Sequence, residues 1–128
     1  MNRKLFLLCL MGAFLATSAY AKCDGGTMIT GKSGSFCKSN VKMNWWSAYS
    51  WCKANDRSLA TIYEACPSWN GNIGEGQCSE LSGSGDGGGW TSTASGSDSG
   101  FSIALQNGYV NNKREDSSRL ELGSALCR

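Results

Sequence analysis

Apolar and polar positions change in short, interrupted runs along most of this chain, and one segment stands out for a helical repeat. Trp45, Ala48, Tyr49 and Cys52 fall at i, i+3, i+4 and i+7, which places them on one face of a helix over 44–54. Asn44 is its expected cap. Trp46 and Trp51 fall on the two flanks of that stripe, and the plain expectation is that all three tryptophans pack into the core. A second short helix is expected after Thr61. Thr61 and Glu64 have the spacing of a capping box, in which each side chain satisfies a backbone N–H at the helix start. That helix should stop around Cys66-Pro67, because proline disfavours helical backbone in the residue before it.

The remaining pattern is that of strands and loops. Residues 27–30 and 35–37 are short strand candidates joined by a turn over 31–34. Residues 90–93 form another, and 101–105 alternate inward and outward before Asn107-Gly108, a tight hairpin turn into Tyr109-Val110. Residues 111–118 read as a polar loop and 120–127 as a closing strand. Between the helices and these strands, residues 70–89 are rich in glycine and poor in apolar side chains, which predicts a long loop. The order is strand, helix, helix, long loop, then several strands. This is an α+β arrangement whose sheet comes mainly from the C-terminal part.

The N-terminus changes the charge account. Arg3 and Lys4, an apolar run over 5–15 and the small-x-small site Ala19-Tyr20-Ala21 read as a secretory signal over residues 1–21. The run is shorter than the roughly 20 residues needed to span a bilayer, and no later stretch is long enough. Removing 21 residues from the 128 leaves 107, a single domain over 22–128 that is expected to be secreted, periplasmic or held at the cell surface. Two of the 12 basic residues leave with the signal and all 10 acidic residues stay, so the net charge falls from +2 to about zero. Nucleic-acid binding, which needs a clustered basic excess, is disfavoured.

Cysteine usage fits export. Without Cys9, six remain: Cys23, Cys37, Cys52, Cys66, Cys78 and Cys127. An even number in an exported chain this short implies a disulfide framework, and six cysteines allow about 15 pairings, among which spacing does not choose. The chain has no histidine and no C-x-x-C pair, so neither a zinc site nor a base-activated cysteine nucleophile is expected. No cofactor is implied. With no histidine, scattered acids and no local serine-nucleophile signature, the chain is expected not to be an enzyme.

Several of these segments together resemble a family. Trp45-x-x-Ala48-x-x-x-Cys52, then Ser58-Leu59-Ala60-Thr61-Ile62, with Cys127 near the end, is similar to the C-type lectin-like fold. A bacterial branch is closer, the C-terminal domain of collagen-like adhesins (the Lcl type). Residues 57–64, Trp90-Thr91-Ser92-Thr93, residues 102–108 and Leu126-Cys127-Arg128 match that branch in order, although Ala60 stands where it prefers proline. The resemblance implies a small disulfide-stabilised C-type lectin-like domain, with two short helices packed on a mainly antiparallel sheet with long loops. It also implies a Cys52–Cys127 bond from the first helix to the last strand, which leaves Cys23–Cys37 and Cys66–Cys78 as local pairs.

The resemblance directs attention to ligands. The E-P-N or Q-P-D and W-N-D motifs of calcium-dependent sugar binding are absent, and Pro67 is the only proline. Glu75, Glu80, Asp86 and Asp98 are the acids in or beside the long loop with oxygen to offer calcium, but acids scattered on such a loop more often serve solubility, and no metal site is expected. Metal-free recognition needs a ring under the apolar face of a sugar and amides for its hydroxyls. Trp69 and Tyr109 are the ring candidates, with Asn70, Asn72, Asn107, Asn111 and Asn112 as amides. Lys113 and Arg114 suit sulfate or carboxylate, although Glu115 and Asp116 follow at once. The expected function is an exported, adhesin-like module that recognises a glycan or a protein surface. A structural subunit of the envelope or of an appendage, and a small secreted inhibitor, are the alternatives.

Overall fold

A computed structural model describes residues 20–114 and 122–128. The expected signal segment therefore lies almost wholly outside the described residues, as does the second half, 115–118, of the expected 111–118 loop. Glycine-bounded, alternating segments form a first hairpin, β1 (Gly26–Gly31) and β2 (Gly34–Ser39). Two helices follow, α1 (Trp45–Ala54) and α2 (Ile62–Ala65), then a 3-10 turn at Ser79–Leu81. The chain closes with β3 (Gly88–Ala94), β4 (Ser99–Ala104), β5 (Tyr109–Arg114) and β6 (Ser124–Cys127).

The described strands form one six-stranded sheet in the order β1-β2-β6-β3-β4-β5. Only the β3–β6 pairing is parallel. The last strand is thus central, and it joins the N-terminal hairpin to the β3–β4–β5 meander. All four of its residues are buried, as expected for a strand with neighbours on both edges and cover on both faces. It pairs through Cys37↔Cys127 and Lys38↔Leu126 on one side and through Gly89↔Ser124 and Trp90↔Ala125 on the other. Where β3 departs, Ser58–Ala60 continues the pairing: Ala60 N–H donates to the Leu126 carbonyl at 2.8 Å and Arg128 N–H to the Ser58 carbonyl at 2.9 Å.

Pleating sends alternate β6 side chains to two cores. Ala125 and Cys127 face α1 and join Trp90, Ala48, Cys52, Cys37 and Leu59. Leu126 faces the other way, into a larger cluster with Phe36, Ile62, Leu81, Ile103, Leu105 and Val110. Two disulfides lie under α1. Cys37 and Cys127 oppose each other in register yet bond elsewhere, Cys37 to Cys23 and Cys127 to Cys52, each with Cα atoms 5.6 Å apart. Cys66 bonds to Cys78 beneath the long loop. The three pairings implied by the resemblance are the ones present.

Caps and turns fall where their chemistry places them. Asn44 Oδ1 accepts from Ser47 N–H at 2.8 Å, and both halves of the Thr61–Glu64 box are made, at 3.0 and 2.9 Å. Gly108 has φ 68°, and a Cβ there would strike the Cys78 carbonyl, so the hairpin turn needs glycine twice over.

Some expectations are corrected. Tyr109-Val110 is only the start of β5, which runs on through Asn111–Arg114 because β4 offers partners as far as Ser99. The closing strand begins at Ser124, with Gly123 bridged to Met43 instead. The end of the expected loop, Gly88 and Gly89, is strand: register with Ala104 and Ile103 overrides glycine's poor strand preference. Within the 101–105 run, Ser102 is buried on the opposite face from Ile103, so the alternation is not one of inside and outside.

In the chain-entropy account a disulfide stabilises in proportion to the logarithm of the loop it closes. With separations of 14, 12 and 75 residues, the two local bonds are worth about 3 kcal/mol each and Cys52–Cys127 about 4.5 kcal/mol. Replacing Cys52 and Cys127 together by serine is therefore expected to lower unfolding free energy more than replacing Cys66 and Cys78. Urea titrations of the two double variants measure the difference.

Candidate functional site

The sequence pattern offers Trp69 as an exposed ring, and the structure corrects this. Trp69 is only 8% exposed, its ring lies 4.8 Å from Phe101 and 5.7 Å from Tyr63, and its Nε1 donates to the Asn72 carbonyl at 2.8 Å. The Cys66–Cys78 loop brings it back onto the sheet, where an apolar ring is drawn into the larger core. Trp69 thus anchors the loop. Asn70 remains exposed, but its Oδ1 accepts from Asn72 N–H at 3.2 Å in a local turn. Gly74 and Val110 exchange two backbone hydrogen bonds of 3.0 Å, so this loop also covers part of the β5 edge.

The β4–β5 register divides the other expected site residues between two faces. Phe101↔Asn112 and Ile103↔Val110 share the Trp69 side, whereas Ala104↔Tyr109, Ser102↔Asn111 and Gly100↔Lys113 share the opposite side. Tyr109 is exposed, Asn107 Oδ1 accepts from Tyr109 N–H at 3.1 Å in the turn, and Asn111 Oδ1 accepts from Asn112 N–H at 3.0 Å. Arg114 is described in its backbone alone. The ring and amide set therefore does not converge on one point.

The acids do not form a cation site either. Glu80 lies within reach of the Cys66 and Cys78 sulfurs, but those are bonded to each other and offer no thiolate. Glu75, Asp86 and Asp98 join no comparable group among the described residues. Partial desolvation pushes the Glu80 carboxyl upward, but hydrogen bonds from Ser68, from backbone N–H groups and from Ser79 outweigh it and hold Glu80 below its ordinary value. Glu80 ties the segment after α2 to the 3-10 turn.

Of the helix positions that the pattern assigns to the core, Ala48 and Cys52 are buried, whereas Tyr49 and the flanking Trp46 are left in solvent. On a helix with about 100° per residue, Ala48, Cys52 and Trp45 span roughly 60°, and they carry the buried stripe. Ala48 and Cys52 are fully buried, and Trp45, half-buried, donates Nε1 to the Thr91 carbonyl at 2.8 Å. Trp46 lies roughly 130° from the middle of that stripe and is 60% exposed, and Tyr49 is 40% exposed. Trp45 holds both, edge-on to Trp46 at 4.9 Å and stacked on Tyr49 at 5.6 Å. On the outer side of the helix, Trp46, Ser47, Ser50, Trp51 and Ala54, with Met43, line a shallow groove of about 570 Å³. Trp51 can lie low there because Gly26 has no side chain; a Cβ at Gly26 would come within 2.8 Å of the indole. Four aromatic residues over 45–51 exceed what one narrow buried stripe can hold, and that excess was the available sequence signal.

Comparison of the chain with protein-family models, with curated proteins and with solved structures finds no match.

Two outcomes are expected here. Trp69→Ala should destabilise the domain by about 3–5 kcal/mol, as for other buried large-to-small changes, readable as a fall in the urea midpoint. Because the folded-state value of Glu80 is depressed, its contribution is present above the ordinary value of 4.5 and is lost as pH falls through the lower folded value. Glu80→Gln should therefore be less stable than wild type at pH 7 and should lose less stability than wild type on acidification, in urea titrations at pH 7 and at about pH 3.5.

Proposed function

We propose that this chain is an exported recognition module of the C-type lectin-like kind, adhesin-like in role, which contacts a glycan or a protein surface through the outer face of α1. The observation that carries this is the exposure of Trp46 and Tyr49 beside a groove, in a domain that buries Trp69 and Trp90. Leaving such area in water forgoes roughly 1.5–3 kcal/mol per large side chain, and clustered exposed apolar surface marks contact sites in soluble domains.

The bond between the first helix and the last strand supports the lectin-like assignment, as does the pairing of Leu59-Ala60 beside that strand. Three disulfides support an oxidising location, periplasmic, secreted or at the bacterial cell surface. No described helix is long and apolar enough to cross a membrane. Recognition is favoured over catalysis because the chain has no histidine and no three acids come together among the described residues. Recognition independent of metal fits the lack of an acid cluster among the described residues and the disulfide state of the cysteines.

Trp46→Ala with Tyr49→Ala should change unfolding free energy by less than about 2 kcal/mol, since neither ring is buried. The same pair should abolish retention on the partner surface, whether a glycan array or target cells. A folded double variant that binds like wild type would remove α1 from the contact.

A further inference from the structure

The indole N–H groups separate structural tryptophans from those the fold leaves unused, and the ligand class they point to rests on the recognition role proposed for this chain. The chain has five tryptophans. Trp45 donates to the Thr91 carbonyl, Trp69 to that of Asn72 and Trp90 to that of Met43, each at 2.8 Å. Trp46 and Trp51 donate to no acceptor among the described residues. These two line the same groove. Ser47 and Ser50 lie between them around the helix, and neither hydroxyl has a partner among the described residues. Ring surface and uncommitted donors therefore sit side by side.

Charge matching narrows the occupant. None of the six lining residues is charged. Lys53, the one cation on α1, lies outside the lining with its Nζ over the Tyr49 ring at 5.2 Å. A polyanion would find no cation in the groove, and a cationic ligand no carboxylate. An apolar peptide side chain would cover the rings but leave two indole N–H groups and two hydroxyls desolvated without acceptors, which is costly. A pyranose meets both needs. Its C–H face packs on an indole, and its hydroxyls accept from N–H and pair with serine. We infer that the groove lined by Met43, Trp46, Ser47, Ser50, Trp51 and Ala54 binds a sugar ring of an uncharged saccharide.

The test is two-dimensional NMR of the oxidised protein, which resolves the five indole N–H resonances. The probes are uncharged gluco-, galacto- and manno-configured oligosaccharides, with uronate-containing and sulfated counterparts as a second arm. An uncharged probe is expected to shift Trp46 and Trp51 while Trp45, Trp69 and Trp90 stay in place. Trp46→Ala should weaken that probe at least tenfold, Trp46→Phe should retain most of the affinity, and Ser50→Ala should weaken it several-fold, all with unchanged unfolding midpoints. Binding confined to the acidic arm, shifts confined to other residues, or shifts that appear on raising protein concentration without sugar would overturn the inference. In the first two cases recognition itself survives. Loss of target-cell retention in Trp46→Ala with no saccharide bound in either arm would overturn the sugar and leave a protein surface as the ligand.

Discussion

A four-residue strand holds this molecule together. Among the described elements β6 joins the layers: β2 on one edge, β3 on the other, and α1 through the Cys52–Cys127 bond. Its backbone has no idle edge. Ala125 N–H donates to Ser39 Oγ at 2.7 Å where β2 has yet to begin pairing, and Met43 and Gly123 exchange bonds of 2.7 and 3.0 Å just before it. Without β6 the sheet divides into a two-stranded hairpin, a unit that is marginal at best alone, and a three-stranded meander.

That arrangement explains how a chain so rich in glycine and serine stays compact. The cores on the two sides of the sheet are small, and each includes cystine sulfur as packing material. The covalent bonds act on the unfolded chain while the strand sets the register. α1 gains least from its own apolar stripe, which is narrow, and most from being bonded to β6. A helix held this way does not need its remaining aromatic side chains for folding, which leaves Trp46, Tyr49 and Trp51 available for contact.

The local chemistry was legible in the sequence. The Asn44 cap, the Thr61–Glu64 box, the Asn107-Gly108 turn and the first hairpin depend on neighbours within a few residues, and each is where the spacing puts it. The α+β class and the three disulfide pairs also stand. Burial was less legible. Trp69 and Trp46 are the same residue type, and the pattern around each is short, so the expected exposed ring is buried and an expected core ring is in solvent. What decides between them is long-range: the Cys66–Cys78 loop folding Trp69 onto Phe101, and the rotation of α1 fixed by Cys52. The strand identity of Gly88 and Gly89 and the full length of β5 were hidden for a similar reason, since a partner strand rather than intrinsic preference makes them strand. The site suffered most, because Asn112 and Asn111 are adjacent in sequence and on opposite faces in the sheet.

The claim that β6 unites both halves of the sheet with α1 is tested most directly by native-state amide hydrogen exchange across a denaturant series. Amides of α1, β2, β3 and β6 should open with one common free energy, equal to that of global unfolding. If α1 or the β1–β2 hairpin instead opened at a distinctly lower free energy while β6 stayed protected, the shared-strand account would be contradicted.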